Sequence, residues 1–128
     1  MNVKEWLERG FNLNMEIKQL TEAKELAKKM NDQCGGNATN YSEYSKMLFV
    51  RIERLLNISK EITEVISKLK SALHRSVFTA RYINFKTWEE IAEDMEMDLR
   101  WIYRLRKRIM AEVEEILVYD GKLMTDCK

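Results

Sequence analysis

The chain has 128 residues, 45% hydrophobic and 34% charged, with a formal net charge of +1, which suits one compact domain or a small domain joined to a long helical element. The absence of proline, the presence of only four glycines and the many Glu, Lys, Leu, Met, Ile and Arg residues favour an all-α chain, because these side chains lose little freedom in a helix and nothing forces a break. No apolar stretch approaches the roughly 20 residues needed to cross a bilayer, and Lys4, Glu5, Glu8 and Arg9 interrupt any signal-peptide core, so the expectation is a soluble, cytoplasmic protein with no membrane partner.

From the N-terminus, Val3, Trp6, Leu13, Ile17, Leu20 and Ala27 recur at spacings built from threes and fours, which predicts one helix from about residue 3 to residue 30. Gly10 and Lys24 fall on the same stripe and weaken it. At 1.5 Å per residue such a helix is about 40 Å long and must pack lengthwise against something.

Asn31 to Ser42 is rich in Asn, Asp, Gly and Thr and has no periodicity, so it reads as a connection between helices. Within it Cys34 has no short-spaced companion, and neither does Cys127 near the end of the sequence, so no zinc or redox motif is expected. Three Asn-X-Ser/Thr triplets, at Asn37, Asn40 and Asn57, read as chance matches to glycosylation acceptors.

Asn40 and Glu43 have the spacing of a capping pair. Beyond them Leu48, Ile52, Leu55, Ser59, Ile62, Ile66, Leu69 and Leu73 alternate spacings of four and three, which is a heptad seam. Two long helices with matching stripes, joined by a reversing loop, most simply form an antiparallel, coiled-coil-like hairpin over residues 1–70. Phe49, Leu56, Ile58 and Val65 widen the second stripe, implying a further neighbour, which is either the rest of the chain or another copy of it. Self-association through the N-terminal helices is thus one expected use of this segment.

Ser71 can cap a further helix carrying Leu73, Val77, Phe78, Tyr82 and Ile83, although no proline or glycine enforces a break there and a continuous helix through Ser71 is the alternative. His74 on this segment stands alone and reads as a packing or surface residue. Thr87-Trp88-Glu89-Glu90 has the pattern of a capping box. It opens a helix of about two turns, with Trp88, Ile91, Ala92 and Met95 inside and Glu89, Glu93 and Asp94 outside. Glu96 and Met97 form a turn, and Asp98 caps a longer helix whose inner face is Ile102, Leu105, Ile109, Val113 and Ile116.

The charge is uneven. Residues 99 to 110 contain Arg100, Arg104, Arg106, Lys107 and Arg108 and no acid, whereas residues 111 to 128 carry five acids against two lysines. A short helix, a tight turn and a longer helix, with the small Ala92 at the crossing, make a helix-turn-helix pattern, in which the second helix enters the major groove of double-stranded DNA. Arg100, Trp101, Tyr103, Arg104 and Lys107 form the outer face of that helix. Arginines near its N-terminal end suit guanine edges or phosphates, and Lys107 and Arg108 further along suit the backbone. No cluster of His, Cys, Ser or paired acids has catalytic or metal-ligating spacing, so neither an enzyme nor a cofactor is expected.

Thr87 to Met95, followed by Asp98 and then Ile102-Tyr103-Arg104-Leu105, resembles the helix-turn-helix of sigma-factor region 4. More closely, Arg81 to Ala92 and on through Tyr103-Arg104-Leu105 resembles phage-encoded transcriptional regulators of the RinA and ArpU type, over about residues 75 to 113. The resemblance implies a three-helix DNA-binding domain over residues 71–120 and a flexible tail over 121–128. It also implies activation of phage late or packaging genes, with host RNA polymerase as a partner. It places Arg100, Trp101, Tyr103 and Arg104 where region 4 presents its promoter-contacting residues, and Lys86 and Thr87 at the helix start that approaches the phosphates. The chain departs from the pattern at Glu96, where the family usually has glycine, and at Leu99, where sigma factors often carry arginine. Two other readings fit the same pattern: a DNA-packaging protein similar to small terminase subunits, and a protein-interaction module that acts on polymerase or a sigma factor without binding DNA.

Overall fold

The structure is a computed structural model that describes residues 1–36 and 40–123. The Asn37 acceptor triplet, Cys127 and the last five residues of the expected tail lie outside the described residues. The fold is all-helical, with no strand among the described residues. In chain order the helices are α1 (Val3–Glu8), α2 (Leu13–Gln33), α3 (Tyr41–Ser67), α4 (Ala72–Tyr82), α5 (Trp88–Asp94) and α6 (Leu99–Tyr119). No described helix is long and apolar enough to cross a membrane.

The single helix expected from residue 3 to residue 30 is instead two. Asn2 caps α1, its Oδ1 accepting from the Glu5 amide at 2.8 Å, and the helix gives way to turns before α2 begins at Leu13. Two causes act together. Gly10 is a poor helix former, and the break releases Phe11 to stack on Tyr82, with ring centroids 5.6 Å apart and planes 9° from parallel. A continuous helix would hold Phe11 on the next turn of its own axis.

The chain divides into two compact units, one made of Met1–Phe11 and Lys60–Lys128 and the other of Asn12–Ser59. α1 and the last turns of α3 thus fall in one unit with α4 to α6.

In the first unit the buried residues include Trp6 and Leu7 of α1, Ile62, Val65 and Ile66 of α3, Leu69 in the link that follows it, Val77 and Phe78 of α4, Ile91 of α5, and Ile102, Ile109 and Val113 of α6. The heptad seam is therefore core from Ile62 to Leu69. The expected inner face of α6 is buried as far as Val113, after which Leu117 is buried and Ile116 only half-buried. Leu117 follows Val113 by four residues and holds the same helical face.

The chain breaks between α3 and α4, which settles the reading at Ser71 in favour of a cap. The Ser71 side chain accepts from the His74 amide at 3.4 Å. The link is held by side chains as well: Arg75 donates to the carbonyls of Leu69 at 2.6 Å and Lys70 at 3.1 Å, and Glu112 accepts from the Lys70 amide at 3.1 Å. His74 is not solitary, since its Nδ1 lies 3.4 Å from the Glu112 carboxylate. After α6, Gly121 adopts a left-handed φ of 73° and the Lys122 amide bonds the Leu117 carbonyl at 2.8 Å, so residues 121 to 123 form a closing turn at the start of the expected tail.

In the second unit α2 ends at Cys34 with Gly35 at φ 70°, and the Gly36 amide reaches back to the Asn31 carbonyl at 2.8 Å, a Schellman closure that a glycine makes without strain. Arg51 of α3 donates to Glu16 of α2 at 2.9 Å, and the Lys24 ammonium stands 5.7 Å from the centre of the Phe49 ring. Leu48 and Leu55 of the seam are buried, whereas Phe49 and Leu56 are exposed.

Candidate nucleic-acid interface

The segment from Lys86 to Arg108 is built by local rules that the sequence states openly. Thr87 caps α5: its hydroxyl accepts from the Glu90 amide at 3.1 Å, and the Glu90 carboxylate accepts from the Thr87 amide at 3.2 Å. Trp88, Ile91 and Ala92 are buried and Met95 is half-buried, while Glu89, Glu93 and Asp94 face solvent. The helix closes with the Met97 amide on the Ala92 carbonyl at 2.9 Å and the Glu96 amide on the Glu93 carbonyl at 3.1 Å. That Schellman closure requires a left-handed residue between them, and Glu96 takes it at φ 53°. Asp98 then caps α6 by accepting from the Arg100 amide at 3.0 Å.

Burial of Ile102, Leu105 and Ile109 fixes the rotation of α6. Arg100, Arg104 and Lys107, spaced by four and three, therefore run along the solvent face, and Trp101, Tyr103 and Arg108 flank them, all six exposed. Among the described residues no ion pair engages Arg100, Arg104, Lys107 or Arg108. Planar guanidinium groups left free in this way can donate two bonds to a phosphate or to a guanine edge. Further along, Glu114 and Glu115 are also exposed, so the acid-free face is confined to the N-terminal turns of α6.

The remaining expected residues are placed differently. Lys86 is paired with Asp94 at 2.5 Å, and the hydrogen bond to that carboxylate raises the lysine pKa above its ordinary value. Its charge is already shared with an acid of α5. Thr87 is exposed but its hydroxyl is committed to the cap. Tyr103 leans on the scaffold, with its ring centroid 6.5 Å from that of Trp88.

The sequence did not single out the group that holds this face in place. Trp88 is surrounded by the rings of Phe78 and Tyr82, each 6.4 Å away, and by two guanidinium groups, Arg81 at 5.3 Å and Arg106 at 5.4 Å from its ring centre. Arg106 thus leaves the basic block of the sequence to serve the interior. Its position four residues after Ile102 and three before Ile109 was the available signal. Burial pushes the Tyr82 hydroxyl up to about 12, with the Arg106 and Arg81 charges pulling in the opposite sense.

Beside α6 lies an open groove of about 970 Å³, lined by Val3, Lys4, Tyr103, Lys107, Met110 and Leu123 among others. Lys4 and Glu5 of α1 are both exposed there and Glu114 lines the groove as well, so α1 adds no net charge to the margin of the cationic face. Among the described residues no group of three or more His, Cys, Asp or Glu side chains is arranged to hold a metal ion. No protein-family model matches the chain, and neither the curated proteins nor the solved structures contain a match.

Proposed function

We propose that the chain is a sequence-specific DNA-binding regulator of transcription, in which α4 to α6 act as a helix-turn-helix like that of sigma-factor region 4 and α6 is the recognition helix. The observation that carries this reading is the solvent face of α6, where Arg100, Arg104 and Lys107 are exposed and free of acidic partners behind a short capped helix. In this reading Arg100 and Arg104 read base edges, Trp101 and Tyr103 supply contact area beside them, and Lys107 and Arg108 neutralise phosphates. Lys86 and Thr87 approach the backbone at the start of α5, with Lys86 leaving Asp94 to do so.

The resemblance to RinA- and ArpU-type regulators adds the biological setting: activation of phage late or packaging genes in a bacterial cytoplasm, with host RNA polymerase as the protein partner. Contacts from Glu16 to Arg51 and from Lys24 to Phe49 run in opposite senses along α2 and α3, which supports an antiparallel hairpin over this pair.

The test is selection of bound duplexes from a random-sequence pool by the purified chain. The reading predicts enrichment of a defined motif. A pool that stays random while the protein is folded would contradict it.

A further inference from the structure

The Asn12–Ser59 unit is short of core. Of the twenty buried hydrophobic residues among the described ones, only Leu13, Leu48 and Leu55 belong to it, whereas eight of the twelve exposed large hydrophobics do. A helical pair of this size buries too little to stand alone, and small units of this kind are usually completed by association. The question is what completes it, and the outer face of α3 answers in its own sequence.

Glu43, Met47, Val50, Arg54 and Asn57 are spaced by four, three, four and three, and all five are exposed. They form a second heptad stripe, separate from the seam that buries Leu48 and Leu55. Among the described residues neither Glu43 nor Arg54 has an ion-pair partner.

The stripe complements itself when reversed. In an antiparallel pairing of α3 with a second α3, centred between Met47 and Val50, Met47 of each copy meets Val50 of the other and Glu43 of each meets Arg54 of the other. An apolar centre is thus flanked by two opposite-charge pairs. This is the signature of an isologous interface, in which one patch serves both partners through a two-fold axis. Lys46 then comes opposite Arg51, whose charge is shared with Glu16 at 2.9 Å, so the like-charge contact in this register is tempered by an acid of α2.

We infer that the outer face of α3 is a homodimer interface, with two copies of the chain packing antiparallel through Met47 and Val50 and locked by reciprocal Glu43–Arg54 pairs. The inference stands independently of the DNA-binding reading. If both hold, the dimer carries two copies of α6 and favours DNA sites with dyad symmetry.

The experiment is sedimentation of the full chain over a concentration series, for the wild type, Glu43→Arg, Arg54→Glu and the double reversal. The wild type is expected to be a dimer. Each single reversal puts like charges together twice per dimer and should weaken association by about tenfold or more, and the double reversal should restore it. All of these residues are exposed, so the variants keep their helical circular dichroism. A wild type that stays monomeric at high concentration would overturn the inference and leave the face to a different partner. A dimer indifferent to the single reversals, or one that the double reversal fails to rescue, would overturn it as well.

Discussion

The amide of Met97 donates to the carbonyl of Ala92 at 2.9 Å, and this one bond forces Glu96, between them, into the left-handed region at φ 53°. The contact ends α5 and aims the chain into α6, so the orientation of the cationic helix rests on a residue type that dislikes the conformation it holds. Glu96→Gly should therefore stabilise the protein by about 1 kcal/mol, since glycine adopts this φ without a Cβ penalty. Glu96→Val should destabilise it by more than that. Urea unfolding of the two variants beside the wild type measures both effects.

Arg104 and Arg106 are two residues apart and should behave oppositely. Arg106 lies over the Trp88 ring at 5.4 Å, so Arg106→Ala should cost about 1 kcal/mol of stability through the lost cation–π contact and packing. Arg104 is exposed without an ion-pair partner, so Arg104→Ala should leave unfolding unchanged and cost about 1–3 kcal/mol of specific DNA affinity. Thermal unfolding and DNA titration on both variants separate the roles, and equal effects of the two substitutions on stability would contradict the assignment.

Thr87 tests the start of α5. Its hydroxyl is half of a reciprocal cap, and Thr87→Ala should destabilise the protein by about 1 kcal/mol. Thr87→Ser, which retains the acceptor, should recover most of the loss in the same chemical unfolding experiment.

Tyr82 predicts an alkaline limit. Its folded pKa is raised from 10.0 to about 12, so the folded state holds a proton that the unfolded chain releases first. The corresponding stability is fully present below pH 10 and declines as pH rises from 10 towards 12, by roughly 2–3 kcal/mol in all. Tyr82→Phe should flatten this part of the stability curve. A variant that declines as steeply as the wild type over that range would refute the proposed cause.

The sequence was most informative where structure is decided within a few residues. The Thr87–Glu90 box, the Asp98 cap, the Ser71 cap and the rotation of α6 set by Ile102, Leu105 and Ile109 are all local matters of side-chain chemistry and period. Even the strain at Glu96 could be anticipated from the turn it occupies. Legibility failed where distant segments decide the outcome. The break at Gly10 depends on Phe11 finding the Tyr82 ring and the Arg81 guanidinium, 4.6 Å from its ring centre, and Arg106 turns inward because Trp88 is there to receive it. The two-unit division was hidden for the same reason, because one continuous heptad seam runs from Leu48 to Leu69 across both units. For the candidate site, composition placed the cations and periodicity placed them on one face, but only the packed structure separated Lys86 and Arg106, which are engaged, from Arg100, Arg104, Lys107 and Arg108, which are free of ion pairs.

The most direct test of the central claim is titration of DNA fragments from the chain's own genomic neighbourhood, across a salt series, by the wild type and by an Arg100→Ala/Arg104→Ala variant. The account predicts a saturable complex with one fragment. Its affinity should fall with salt at a slope of about 0.9 per neutralised phosphate, and its selectivity should disappear in the variant while the fold is retained. Equal, unselective binding by wild type and variant on every fragment would contradict the claim that α6 reads DNA.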